Sequence, residues 1–139
     1  MSGVKSIPMQ LCYATCFDLE HPPSNAIEPD ETSFWMTTGL FPQEIVFKFN
    51  EPIRIVRVSL IVGKTKNVNI QSASDPELNS WMEIDSFTLP ANPVKQKETH
   101  QLDLRSVSYG LKVTIEQGWG PFAALYLTKV EGTVAEANK

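Results

Sequence analysis

Hydrophobic residues in this chain recur at every second position, in short runs broken by turn-forming residues. That period suits strands and excludes long helices. Gln43 to Phe49 puts Ile45, Phe47 and Phe49 on one face, with Pro42 before it and Asn50 after it. Ile53 to Val62 sets Val56, Val58, Leu60 and Val62 against Arg57, Ser59 and Ile61. Val68 and Ile70 alternate inside a polar run, Ser74 to Glu77 turns the chain, and a segment around Trp81 to Phe87 leads to the proline-bearing loop from Leu89 to Val94. Leu102 and Leu104 share one face of a short strand. Tyr109, Leu111, Val113 and Ile115 alternate with Gly110, Lys112, Thr114 and Glu116, the cleanest strand signal present. After the loop Gly118-Trp119-Gly120-Pro121, Phe122, Ala124 and Tyr126 alternate with Ala123, Leu125 and Leu127, and the run continues to Val134. Roughly seven or eight strands, with at most a helical turn between Pro22 and Ser33, predict an all-β sandwich or barrel.

At 139 residues the chain is the size of one domain, expected over 1–134 with a frayed tail from Ala135 to Lys139. A chain of about 150 residues hides roughly 68–70% of its unfolded surface, enough for a core without staples. The net charge of −4 argues against nucleic-acid binding, which is built on clustered Lys and Arg. The opening ten residues show no apolar signal core, and no run reaches the ~20 apolar residues of a helical span, so an intracellular, non-membrane protein is expected. Cys12 and Cys16 are spaced C-x-x-x-C, which fits neither the C-x-x-C redox pattern nor a zinc site; two reduced thiols are expected, at least one of them packed.

No catalytic motif is present. His21 leads into two prolines, and His100 lies in a charged strand, with no G-x-S-x-G segment to supply a nucleophile. Gly118 and Gly120 flank Trp119 without the strand-to-helix context of a phosphate loop. Trp35, Trp81 and Trp119 are candidate sugar-stacking rings; Trp119 reads as the most exposed, and one of Phe34 and Trp35 as core. The segment Lys95 to Glu98 reads as a solvated loop. Residues 21–35 are the densest chemistry: Glu28, Asp30 and Glu31 in four positions, then Thr32 and Ser33, in a proline-constrained turn. Calcium needs six to eight hard oxygens on such a loop, although EF-hand spacing is absent.

Asn25-Ala-Ile-Glu-Pro-Asp-Glu-Thr-Ser-Phe-Trp35 resembles the N-x-I-D-G-N-x-x-T-x-W signature of discoidin, or galactose-binding-like, β-sandwich domains. The flanks, His21-Pro-Pro and Thr37 to Glu44, resemble the small discoidin-like subunits of the intraflagellar transport B complex, as do Arg54 to Leu60 and Val130 to Val134. The resemblance implies a jelly-roll of about eight antiparallel strands. It implies a non-enzymatic adaptor that pairs with a Rab-like small GTPase, works in the cilium or flagellum and the cytoplasm near the basal body, and supports export of signalling cargo. It further implies a structural calcium ion held by Asn25, Glu28, Asp30, Ser33 and a closing Glu131. Here Glu28 replaces the usual Asp, Pro29 the Gly, Asp30 the Asn and Ser33 the Thr. The alternative is a calcium-stabilised carbohydrate-binding module, less expected because no Arg–aromatic pair stands on a rim loop.

Overall fold

Two stretches that read as separate strands, 43–49 and 53–62, are one. In the computed structural model, which describes residues 4–15, 26, 35–36, 41–91, 96–119 and 123–135, strand β4 runs unbroken over Gln43–Gly63. Eight further strands are described: β1 (Lys5–Ser6), β2 (Met9–Ala14), β3 (Trp35–Met36), β5 (Thr65–Ala73), β6 (Trp81–Thr88), β7 (Gln96–Gln101), β8 (Ser108–Gly118) and β9 (Ala124–Val134). Every pairing is antiparallel.

The first half of β4 pairs with β2 and β8; the second half pairs with β7 and β9. The strand therefore leaves one layer and enters the other, turning the corner where its register with β8 breaks between Lys48 and Ile53. One layer runs β2–β4–β8–β5–β6. The second runs β7–β4–β9, with β1 and β3 both on the outer edge of β9. Of the sandwich and the barrel that the alternation allows, this is the sandwich.

Alternation supplies the core. Ile45, Phe47, Leu111, Val113, Ile115, Val68 and Ile70 from the first layer meet Ile55, Val58, Leu60, Val62, Leu125 and Val130 from the second, in one cluster. Trp35 is fully buried opposite Leu125. Val56, expected on the core face, instead occupies a bulge where the β4–β9 register shifts between Ile55 and Arg57. Its carbonyl accepts the amides of Leu102 and Asp103, which lie beyond β7 rather than in a strand of their own. The stretch 96–98 belongs to a ladder on β4, not to a loop. Ala135 is no free tail either: it is buried and its amide donates to the Pro52 carbonyl. Most of the expected turn between Pro22 and Ser33 lies outside the described residues; Ala26 within it is fully buried.

Candidate functional site

Of the five residues expected to hold calcium, Asn25, Glu28, Asp30 and Ser33 lie outside the described residues. Glu131 does not stand free. On the outward face of β9 it is opposite Arg57 of β4, and Arg57 Nε donates to Glu131 Oε1 at 2.6 Å. Arg57 Nη1 also donates to Gln101 Oε1 at 3.0 Å, which fixes the guanidinium across three strands. That charge-assisted bond is the main reason the Glu131 carboxyl is held below its ordinary range; partial burial opposes it, and the charges of Arg57, Lys129 and Lys97 reinforce it. β9 carries Leu125, the partner of Trp35, six positions before Glu131, about 20 Å at ~3.3 Å per residue. Among the described residues no group of three or more Asp, Glu, His or Cys side chains converges as a metal site.

A second cluster closes one open side of the sandwich. Core-facing parity on the edge strand β7 falls on Glu98 and His100, opposite Leu60 and Val58. His100 Nδ1 lies 2.7 Å from Asp85 Oδ2 of β6, and Nε2 lies 3.0 Å from Glu98 Oε1. The Phe87 ring lies 4.5 Å from the imidazole, centroid to centroid. β6 and β7 are the edges of different layers, so the histidine fastens one layer to the other. Charges that point inward on an edge strand also prevent further strand pairing. Both ring nitrogens face carboxylates, so the imidazole is poorly placed to activate a nucleophile. His21 lies outside the described residues.

The aromatic candidates divide. Trp35 is core. Trp119 is 46% exposed, donates from Nε1 to the Leu89 carbonyl at 3.1 Å and has Lys66 Nζ 4.8 Å from its ring centre. Trp81 is half-buried on the outer face of the first layer, under Lys112 Nζ at 4.5 Å. Of the two thiols, at least one of which is expected to pack, Cys12 is exposed in a bulge of β2; Cys16 lies outside the described residues. No helix among the described residues is long and apolar enough to cross a membrane.

The Arg57–Glu131 pair and the Asp85–His100–Glu98 cluster were not legible beforehand. Their partners lie on different strands, and only the register brings them together. The charges at alternate positions 98 and 100 were the available sign that the inner parity of that strand is polar.

No family model matches the chain. It is 28% identical over 120 residues to intraflagellar transport protein 25 of Chlamydomonas reinhardtii, covering 86% of this chain and 62% of that protein, so it spans less than two thirds of that relative. It is 30% identical over 128 residues to the intraflagellar transport protein 25 homolog of Homo sapiens, covering 90% of this chain and 87% of that protein. Among solved structures, the family 32 carbohydrate-binding module of C. perfringens NanJ in complex with galactose superposes with a TM-score of 0.79 at 19% identity, covering 92% of this chain and 98% of that one. Reduced XRCC1 bound to the DNA polymerase beta catalytic domain also gives 0.79, at 11% identity, covering 91% and 97%. At these identities the likeness shows the fold, a galactose-binding-like β-sandwich.

Proposed function

The chain belongs to the intraflagellar transport protein 25 family, and from that premise we propose that it is a non-enzymatic adaptor subunit of the intraflagellar transport B complex. It pairs one-to-one with a Rab-like small GTPase and supports the export of signalling cargo from the cilium or flagellum, cycling through the cytoplasm near the basal body. The observation that carries the reading is the 30% identity to the human homolog over 90% of this chain. A histidine whose nitrogens are both in contact with carboxylates fits a scaffold better than a hydrolase. Sugar binding rests on likeness of fold to carbohydrate-binding modules, and fold does not confer activity.

Calcium belongs to the same proposal as a structural ion of segment 25–33, through Asn25, Glu28, Asp30 and Ser33. Glu131 fits that role poorly, because its carboxylate already faces the Arg57 guanidinium.

Light scattering tests the adaptor reading. The purified chain is expected to run as a monomer and to shift to a stable one-to-one complex with the Rab-like subunit. A monomer that ignores the GTPase would sink the pairing, and binding on a glycan array would then put the carbohydrate module in its place.

A further inference from the structure

Outward-facing charges on the β7–β4–β9 layer are predominantly positive. Register places Arg57 between Gln101 and Glu131, Ser59 between Thr99 and Lys129, and Ile61 between Lys97 and Leu127, while Arg54 lies opposite Thr133. Among the described residues the face holds four cations, Arg54, Arg57, Lys97 and Lys129, against two carboxylates, Glu131 and, at its edge, Asp103, whose Oδ1 accepts from Gln101 Nε2 at 2.9 Å. That is a surplus of two positive charges on a chain whose net charge is −4, so the rest of the molecule holds −6. The outer face of the other layer mixes signs: Glu44, Glu83 and Glu116 stand with Lys48 and Lys112, and Lys112 lies over Trp81. Arg57 is held by Glu131 and Gln101, whereas Lys97 and Lys129 are exposed and make no salt bridge among the described residues.

We propose that this face docks an acidic polypeptide segment of a protein partner. Charge complementarity selects an anion, and the extent of the face selects a short one. From Arg54 to Ile61, the neighbour of Lys97, β4 advances about 23 Å at ~3.3 Å per residue, the length of some seven extended residues. A longer polyanion, whether a duplex or a bilayer, reaches past the patch and meets the negative remainder; the Debye length of ~8 Å at physiological salt does not hide it at contact. The chemistry between the cations agrees. Thr99 and Gln101 are exposed between them and offer side-chain hydrogen-bonding groups, with the Thr99 hydroxyl 3.1 Å from that of the buried Ser59. Among the described residues the exposed large hydrophobic side chains that would insert into lipid, Tyr13, Met82 and Trp119, lie elsewhere.

The inference goes beyond the adaptor reading and does not rest on it, since charge and register alone carry it. The test is an NMR titration of the full chain with an octaglutamate peptide at about 20 mM salt, where attraction is least screened. Amide shifts are expected to gather on β7, β9 and the second half of β4. The Lys97→Glu/Lys129→Glu variant is expected to weaken binding about tenfold or more, and Lys48→Glu/Lys112→Glu twofold or less. Both variants have the same net charge, so the contrast reads position alone. If the first fails to fold, Lys97→Gln/Lys129→Gln answers the same question. Absent or scattered shifts, or equal losses from the two variants, would overturn the proposal. So would tighter binding of the wild-type chain to phosphatidylserine vesicles or duplex DNA than to the peptide. None of these outcomes depends on whether the GTPase complex forms.

Discussion

Thr128 places a hydroxyl where its surroundings are hydrocarbon. It is 2% exposed, faces the core opposite Leu60, and its Oγ1 has no hydrogen-bond partner among the described residues. A buried hydroxyl without a partner costs about 1–3 kcal/mol of desolvation, while valine has nearly the same shape. Thr128→Val is therefore expected to stabilise by about 1 kcal/mol, read as a higher urea midpoint at unchanged slope; a loss of stability would show that the hydroxyl is satisfied. Glu131 poses the opposite case, a carboxylate with a strong partner. Because its folded pKa lies below the unfolded value, it contributes stability that is fully present above the unfolded pKa and is lost as pH falls through the folded one. Melting temperatures of the wild type should fall from about pH 5 downward, and Glu131→Gln should remove part of that slope while lowering stability at pH 7 by about 1 kcal/mol. Parallel profiles for the two proteins would show that the Arg57 bond does not persist in solution.

At the scale of elements, the strands that were legible are those whose two faces differ in chemistry. β8 sets Leu111, Val113 and Ile115 inward against Lys112 and Glu116, so period two is plain and its faces are as expected. β7 was legible as a strand only around His100, and its first half read as a loop, for the converse reason. Its inward positions are Gln96, Glu98 and His100, because an edge strand at the mouth of the sandwich closes it with an ion cluster instead of hydrocarbon. The break expected at Asn50 is missing because a change of layer reads locally like the end of a strand: Asn50 and Glu51 are exposed, yet the backbone ladder continues. The candidate metal loop was legible only as a motif, since ligand geometry depends on how carbonyls and carboxylates converge. Its prediction is thermodynamic. A structural ion at a hundred times its dissociation constant stabilises by about 2.7 kcal/mol, worth roughly 10 °C in a domain of this size. Melting with calcium and then with chelator should differ by that amount, and Asp30→Asn should shrink the difference. Identical melts with no metal retained would remove the ion from the proposal.

For the molecule as a whole, β4 decides how it comes apart. A sandwich joined only by loops has the means to lose one layer and keep the other, as local unfolding units do. Here one strand of 21 residues is central in both layers: it lies between β2 and β8 in its first half and between β7 and β9 in its second. Phe47 and Leu60, from the two halves, belong to the same core cluster and are 0% and 1% exposed. Neither layer can therefore open without stripping hydrocarbon from the other. Phe47→Ala and Leu60→Ala should each cost about 3–5 and 2–5 kcal/mol, and each should displace one urea transition with the slope kept, seen at the same midpoint by far-ultraviolet circular dichroism and by tryptophan fluorescence. Separate midpoints, with Phe47→Ala moving one probe and Leu60→Ala the other, would mean that the layers unfold independently and that the shared strand is a connection rather than the common core of both.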